Sequence, residues 1–282
     1  MTALRAVSVC DALDGAVTAI DAGGSASPRL DAELLLADAL GTTRERLYSD
    51  PAAAVDGVAV RAFQSHVRRR AVDREPVAYI VGHRAFRRLV LAVDARVLVP
   101  RPETELLVEL ALGLPRGARV LDCCCGSGAI ALALKDERPD LSVTGSDIDL
   151  GALAVAAANG EALRLDVAWR PADLLVGLPD AYDAILANPP YIDSAAISTL
   201  EPEISRHEPR HALDGGPSGL EKITRLIEQA ATTSASTLIL EHGQGQEQAI
   251  ATRCRAAGYT HVEHHQDLAQ TNRALIARRA RT

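Results

Sequence analysis

A regular alternation of short apolar runs and helical segments, which begins at Arg119, constrains the fold more than any other feature. The runs have the length and the Val, Leu and Ile content of buried strands, and the segments between them have room for a helix. Strands are predicted over residues 120–122, 142–146, 166–169, 184–187 and 237–240, helices over 129–137 and 150–159, and closing strands over 261–265 and 275–278. This rhythm predicts an α/β fold with a doubly wound, Rossmann-like and mostly parallel sheet.

The chain before this alternation has two other patterns. Residues 1–72 have helical periodicity, which predicts a small N-terminal helical bundle. Apolar residues then alternate with polar or small ones, and this indicates a β-hairpin with strands at 77–81 and 89–93. We therefore expect a helical substrate-recognition domain over 1–72, a hairpin linker over 73–99 and a catalytic domain over 100–282.

A helix predicted over residues 58–70 carries four arginines on its outer side: Arg61, Arg68, Arg69 and Arg70. Two interpretations remain open. The arginines form a solvated face, or they dock onto an acidic or RNA-bearing partner.

Composition excludes several classes of protein. The 282 residues are 48% hydrophobic but only 3% aromatic, so the core is built from Ala, Val, Leu and Ile. The formal net charge of -7 argues against general electrostatic binding of nucleic acid. No apolar stretch is long enough for a membrane span, and residues 1–20 carry Arg5, Asp11 and Asp14 where a signal peptide needs an apolar centre. We expect a soluble, cytoplasmic monomer.

Three of the five cysteines are consecutive, Cys123, Cys124 and Cys125. Consecutive side chains point in different directions and cannot close tetrahedrally on zinc, and no second cluster completes a site. We therefore predict no metal and a reducing compartment.

The tetrapeptide Asn188-Pro189-Pro190-Tyr191 follows the buried run 182–187. Ligands bind at the edge where the strands of an open α/β sheet end. The Asn188 side-chain oxygen and the Pro189 carbonyl can both accept from an NH2 group, and the two prolines donate no N–H and fix φ. Tyr191 offers a ring face to a flat amide or base. The pattern indicates chemistry at a planar nitrogen, although a simple strand-ending turn would also use two prolines.

A nucleoside-binding unit is predicted upstream of this tetrapeptide. A strand that ends at Asp122 leads into the turn Cys124-Cys125-Gly126-Ser127-Gly128, and Asp147 lies about 20 residues beyond it, where a carboxylate meets ribose hydroxyls. NAD and S-adenosylmethionine both satisfy this geometry. A GxGxxG turn for a pyrophosphate is absent, which favours a cofactor without phosphates. Asp173 is expected to accept from the adenine amino group, with Leu174 against the ring.

With these motifs in this order, the chain resembles class I S-adenosylmethionine-dependent methyltransferases that act on exocyclic or amide nitrogen. More narrowly, it resembles the HemK/PrmC family, which methylates the glutamine amide of the GGQ motif in bacterial class I peptide chain release factors. The resemblance covers nearly the whole chain and is carried by residues 76–82 with Phe86, Pro100-Arg101-Pro102-Glu103-Thr104-Glu105, residues 121–134, Asn188 to Tyr191, and Glu208-Pro209 with Gly215-Gly216.

The resemblance implies roles for individual residues. The turn from Cys124 to Gly128, together with Asp122, Asp147 and Asn188, would hold the cofactor, with Asp173 and Leu174 near adenine. The tetrapeptide from Asn188 to Tyr191 would hold the substrate glutamine, and Asn188, Pro189 and Tyr191 would act in catalysis. Phe86, Arg101 and Glu103 would complete the substrate site, and release factors would be the partners.

One position departs from the family pattern. The family's turn begins with Gly in a Gly-x-Gly-x-Gly pattern, and this chain has Cys124 there. If the backbone has positive φ, the side chain costs on the order of 1 kcal/mol and crowds the cofactor. Two alternative functions therefore stay open: an adenine amino methyltransferase on nucleic acid, and a cofactor-degenerate protein that binds release factors or the ribosome.

Residues 193–219 are expected to form a mobile flap, because they are rich in Pro and Gly. Three carboxylates in this segment, Glu201, Glu203 and Glu208, are expected to meet a basic partner. Glu103 and Glu105 are expected to position the hairpin and the following helix rather than act as bases.

Overall fold

The computed structural model describes residues 7–280, and these residues form two compact units. The first unit runs up to Gly82 and also includes the segment Glu201–His207, and the second comprises His83–Leu200 and the chain from Glu208 onward. None of the helices in the described part of the chain is long and apolar enough to cross a membrane. Those residues also contain no cluster of three or more His, Cys, Asp or Glu side chains suited to a metal ion.

The elements are numbered in chain order. The helices are α1 (Val9–Ala22), α2 (Pro28–Ala39), α3 (Arg44–Ser49), α4 (Gly57–Ala71), α5 (Val77–Val81), α6 (Glu105–Ala111), α7 (Ala129–Glu137), α8 (Leu150–Leu163), α9 (Pro202–His207), α10 (Glu221–Ala231) and α11 (Glu247–Ala256). The strands are β1 (Val7–Ser8), β2 (Ala54–Val55), β3 (His83–Phe86), β4 (Leu89–Ala92), β5 (Arg119–Cys123), β6 (Ser142–Asp147), β7 (Ala168–Pro171), β8 (Ala184–Ala187), β9 (Ile192–Asp193), β10 (Asp214–Gly216), β11 (Thr237–Glu241), β12 (His261–Gln266) and β13 (Asn272–Arg278). Short 3-10 helices cover Pro102–Thr104, Ala196–Thr199 and Arg210–Ala212.

The first unit is a helical bundle around a core that includes Ile20, Leu35 and Phe63. Helix α5 contributes Ile80 to this core, so the prediction of a strand at 77–81 is wrong. A short apolar run fits helix and strand equally well by periodicity, and here burial in a helical bundle decides. The hairpin instead pairs β3 with β4, and the bundle extends beyond residue 72 to Gly82.

Arg70 of α4 is buried and does not lie on a solvated face. Its Nε donates to Asp31 Oδ2 at 2.6 Å, its Nη2 donates to the Ser25 hydroxyl at 2.9 Å, and Nη1 donates to Glu203. Arg74 Nη2 also donates to Glu203 Oε2, at 2.7 Å. Glu203 is thus held by two arginines of its own unit, and the expectation that it meets a basic partner is wrong.

The second unit contains a seven-stranded sheet of order β12-β13-β11-β8-β5-β6-β7. The strands from β11 to β7 are parallel, and β13 runs antiparallel to both β11 and β12. Strands β8 and β11 are buried along their whole length, as expected for central strands covered on both faces. The predicted doubly wound, mostly parallel sheet is confirmed.

Several helix and strand boundaries, among them those of α8, β7 and β13, differ from the prediction. Helix α8 continues to Leu163 through Gly160, which is buried against Leu132 and Trp169. Strand β7 begins at Ala168 and ends at Pro171, two residues later than predicted at each end. At Gly160 in α8, tertiary packing overrides the local helix-breaking tendency of glycine.

Candidate active site at the carboxyl ends of the strands

The strand order reverses between β5 and β8, which are parallel neighbours near the middle of the sheet. Strands β6 and β7 lie on one side of this pair, and β11 lies on the other. The register pairs Cys123 with Ala187, so the residues that follow, Cys124 and Asn188, leave the sheet side by side. In an open α/β sheet, such a switch point forms the crevice in which ligands bind.

The turn after β5 requires left-handed backbone at three positions. Cys124 has φ +62°, Gly126 has φ +53° and Gly128 has φ +82°. A Cβ on Gly128 would lie 2.8 Å from the Trp169 ring, so this glycine is required by space as well as by conformation. The positive φ considered for Cys124 is therefore present, at a residue with a side chain.

The Cys124 thiol is not an activated nucleophile. Its sulfur lies 3.9 Å from the sulfur of Cys123, and this contact, together with burial, raises the pKa of Cys124. Burial also raises the pKa of Cys125. Both thiols therefore stay protonated near neutral pH, and the cysteine run contributes shape to the turn rather than charge.

Asp147 at the end of β6 closes the other side of the turn. Its Oδ2 accepts from the Gly126 N–H at 2.9 Å and its Oδ1 accepts from the Asp149 N–H at 3.0 Å. A carboxylate has about four acceptor positions, so each oxygen can accept once more. Burial raises the pKa of Asp147 above its ordinary value.

Two adjoining cavities lie over this edge of the sheet. The smaller, of about 60 Å³, reaches Asp147 and Asn188, and the larger, of about 380 Å³, reaches Asp173 and Leu174. They share four lining residues: Cys124, Ile148, Pro190 and His211. The elongated space thus runs from the turn after β5 to the loop after β7.

Asp173 and Leu174 lie where the sequence predicts, but Asp173 has a partner. Both of its carboxylate oxygens accept from Arg225, at 3.2 and 2.7 Å. Leu174 is buried and has φ +56°. Their contacts with adenine stay a prediction.

The tetrapeptide after β8 leaves two acceptors free. Asn188 Nδ2 donates to the Thr104 hydroxyl at 3.1 Å, and among residues 7–280 Asn188 Oδ1 makes no hydrogen bond. Within the same residues no donor reaches the Pro189 carbonyl. The Tyr191 hydroxyl donates to Glu241 Oε1 at 3.1 Å, and burial raises the pKa of Tyr191. Asn188 Oδ1, on a residue that lines the smaller cavity, and the Pro189 carbonyl, on the next residue, are therefore two acceptors that the described residues leave unused.

Two residues predicted to touch ligands lie elsewhere. Phe86 is 1% exposed in the core between the hairpin and α7, so the prediction that it contacts substrate is wrong. Asp122 lines neither cavity. Its Oδ2 accepts from the Ala131 N–H at 3.0 Å, and burial raises its pKa to about 8. Asp122 is therefore an uncharged acid near neutral pH, and it supports the turn from its buried side.

The residues of the run 100–105 have different roles. Arg101 Nη2 donates to both oxygens of buried Glu208, at 2.7 and 2.6 Å, so Glu208 meets a partner within the chain and not a foreign one. Glu103 lines a separate cavity of about 240 Å³ together with Asp267. Glu105 Oε1 accepts from the Arg87 N–H at 2.9 Å and does hold the hairpin, as expected.

Thr104 and Glu241 hold the tetrapeptide and were not predicted from the sequence. In the sequence, Thr104 lies between the carboxylates Glu103 and Glu105, and no local pattern distinguishes it. Glu241 ends the apolar run of β11, Asp147 likewise ends β6, and Asp122 is the last residue but one of β5. An acidic residue at the carboxyl end of a predicted parallel strand was therefore an available signal.

Comparisons with known proteins agree with this geometry. The family models described as "Methyltransferase small domain" and "PrmC N-terminal domain" match residues 102–216 and 11–82. The release factor glutamine methyltransferase of Rhodospirillum rubrum is 39% identical over 95% of this chain and 84% of its own length. That of Mycolicibacterium smegmatis is 42% identical over 82% of this chain and 80% of its own.

Among solved structures, the hMettl16 catalytic domain in complex with a 3'UTR hairpin superposes with a TM-score of 0.56 at 17% identity, covering 79% of this chain and 82% of that one. At this identity the likeness concerns the fold alone. Together, the sheet order, the turn after β5 and the tetrapeptide after β8 define a methyltransferase of the Rossmann-like class. Given the extent of the relatives' identity, the chain belongs to the release factor glutamine methyltransferase family.

Proposed function

We propose that this enzyme transfers a methyl group from S-adenosylmethionine to the side-chain amide nitrogen of the glutamine in the GGQ motif of bacterial class I peptide chain release factors. The names of the curated relatives support the release factor as substrate. We infer a cytoplasmic location, because that is where bacterial translation ends.

The observation that carries the proposal is the pair of free acceptors at the end of β8. Asn188 Oδ1 and the Pro189 carbonyl are unused by the described residues, and Asn188 lines the cavity that reaches Asp147. A primary carboxamide has one NH2 group with two hydrogens, which this pair matches. A hydroxyl or thiol substrate would leave one acceptor without a donor.

The residues present fit S-adenosylmethionine. The two adjoining cavities supply an elongated space, and the unused acceptor positions of Asp147 suit the two hydroxyls of a ribose. The turn at Cys124 and Gly126 would hold the methionine part, and Leu174 would lie near the base. When bound, this cofactor supplies an electrophilic methyl group on a sulfonium sulfur.

The residues of the chain act by alignment. An amide nitrogen is a poor nucleophile because its lone pair is delocalised into the carbonyl. When Asn188 Oδ1 and the Pro189 carbonyl accept the two N–H bonds, the amide is held in one orientation with its nitrogen facing the cavity. Such positioning can lower a barrier by about 7 to 11 kcal/mol.

The same two oxygens stabilise charge on the nitrogen. Positive charge develops there as the new bond forms, and fixed dipoles directed at it do not need to reorganise. The N–H proton becomes acidic only at that stage and passes to water. A strong base is therefore unnecessary, and buried His242, whose pKa is lowered by burial, is not required.

Transfer of labelled methyl groups tests the proposal. The purified chain is incubated with methyl-labelled S-adenosylmethionine and one of three acceptors: a release factor, the same factor with its GGQ glutamine changed to alanine, or an RNA and DNA mixture. We expect label in the intact release factor alone. Label in nucleic acid, or equal label in both release factors, would refute the proposed substrate.

A further inference from the structure

Glu241 lies at the carboxyl end of β11, the strand next to β8, and is 1% exposed. The parallel register pairs Leu240 with Ala187, so the next residue along each chain segment, Glu241 and Asn188 respectively, lies at the same edge of the sheet. The Glu241 carboxylate accepts from the Thr104 hydroxyl at 2.6 Å and from the Tyr191 hydroxyl at 3.1 Å. When it is ionised, this carboxylate has no hydrogen to donate and therefore fixes both hydroxyls as donors.

The bond to Glu241 uses the only hydrogen of the Thr104 hydroxyl. Thr104 can consequently face Asn188 only with a lone pair, and it accepts from Asn188 Nδ2 at 3.1 Å. An asparagine amide turned by half a rotation keeps its shape but exchanges nitrogen and oxygen. Turned in this way, Asn188 would set its oxygen against the Thr104 oxygen with no hydrogen between them.

We propose that Glu241 and Thr104 are positioning residues, which hold the Asn188 carboxamide with Oδ1 directed to the substrate NH2 group. This inference rests on the proposed function, because only an NH2 substrate needs an acceptor at this place. In the opposite orientation the Asn188 NH2 group would face the substrate NH2 group, and two donors would oppose each other.

The same carboxylate also holds the other end of the tetrapeptide. The bond from the Tyr191 hydroxyl anchors the ring, while the bond through Thr104 anchors Asn188. Thr104 is 5% exposed and closes the 3-10 helix Pro102–Thr104, so its own position is fixed by the backbone. One buried group thus determines the orientation of both ends of the segment that receives the substrate.

Replacement of Thr104 by its isostere is the first test. Thr104→Val removes the hydroxyl but keeps the shape, and both orientations of Asn188 become accessible. We expect kcat toward a release factor to fall about tenfold or more, the effect of one lost hydrogen-bond constraint. The Kd of S-adenosylhomocysteine, measured by calorimetry, should change by less than about twofold, since Asp147 and the turn are untouched.

Two controls separate positioning from packing. Thr104→Ser restores the hydroxyl and should recover most of the turnover lost in Thr104→Val. Thr237→Val makes the same change at a buried threonine at the opposite end of β11, away from the cavities, and should keep the wild-type kcat.

A double-mutant cycle provides a readout that a structural role would not produce. In Glu241→Gln the new NH2 group must face one of the two hydroxyls, so either Thr104 or Tyr191 loses its acceptor. Because Thr104 and Glu241 act through one chain of hydrogen bonds, Thr104→Val combined with Glu241→Gln should lose little more kcat than the more damaging single change.

The inference is overturned if Thr104→Val keeps the wild-type kcat, if kcat and cofactor binding fall equally, or if the two losses multiply. Failure of the proposed function has a different outcome: the wild-type chain itself would transfer no label to the release factor. The two ideas are therefore tested separately in the same assay.

Discussion

The charge state of Glu241 makes stability depend on pH in a defined direction. Burial raises the pKa of this carboxyl from an ordinary 4.5 to about 7, even though Thr104 and Tyr191 donate to it. The folded protein therefore retains the proton up to about pH 7, whereas the unfolded chain releases it near pH 4.5. Between these values unfolding releases a proton, so the free energy of unfolding falls as the pH rises.

The size of this effect follows from the two pKa values. Each pKa unit corresponds to about 1.4 kcal/mol, so the rise from 4.5 to about 7 corresponds to a loss of roughly 3 kcal/mol. The loss should begin near pH 4.5 and be complete a little above pH 7. Other buried acids titrate in the same range, and the contribution of Glu241 must therefore be isolated by comparison.

Glu241→Gln supplies the comparison, because glutamine keeps the shape and does not titrate. The free energy of unfolding is measured by urea titration for both proteins at intervals from pH 4.5 to pH 8. We expect wild type to lose about 3 kcal/mol relative to Glu241→Gln across this range. A constant difference, or one that increases in favour of wild type as the pH rises, would refute the reasoning that burial outweighs the two hydrogen bonds.

Four further predictions concern the site and the first unit. Asn188→Ala should lower kcat about a hundredfold, since the substitution removes an acceptor needed in the transition state. The Kd of S-adenosylhomocysteine should change little. An equal loss of turnover and of cofactor binding would contradict this role. Cys124→Gly should leave the free energy of unfolding within about 1 kcal/mol of wild type, because the relief of backbone strain at φ +62° is offset by the larger conformational entropy of the unfolded chain. The same change should tighten cofactor binding, measured by calorimetry, more than Cys124→Ala does, since alanine keeps Cβ. An unchanged Kd would show that the side chain does not crowd the cofactor. Arg101→Ala should lower the free energy of unfolding, measured by urea titration, by roughly 3 kcal/mol, because buried Glu208 loses its partner. Adding Glu208→Gln should recover part of this loss. A loss that the second change does not reduce would exclude this cause. Arg68 lies on the exposed side of α4. If that face docks the partner, Arg68→Ala should raise KM for a release factor but not for a short GGQ peptide. An equal effect on both substrates would argue for a solvated face.

Several elements were predictable because their signals are local. The limits of α7 and of β6 follow from apolar runs bounded by Gly, Pro and Asp, and the structure confirms them. The placement of Asn188 beside Cys124 was also predictable, since the carboxyl ends of parallel strands meet at one edge.

Other features depended on partners distant in the sequence. Residues Val77–Val81 have a pattern compatible with strand or helix, and the bundle core selects the helix. Arg70 falls on the polar side of α4 by periodicity, yet Asp31 and Glu203 bury it. A local sequence pattern cannot show that an arginine will pair with carboxylates on other segments of the chain.

The alternation of strands and helices from Arg119, the turn after β5 and the acceptor-rich tetrapeptide after β8 could be inferred from the sequence alone, because each depends on neighbours within a few residues. The direction in which the Asn188 amide faces depends instead on the folded arrangement. That choice depends on Thr104 and Glu241, which are remote from Asn188 in the chain and meet it only once the sheet has formed. A single hydroxyl hydrogen, directed by a buried carboxylate, distinguishes two amide orientations that have the same shape and the same sequence.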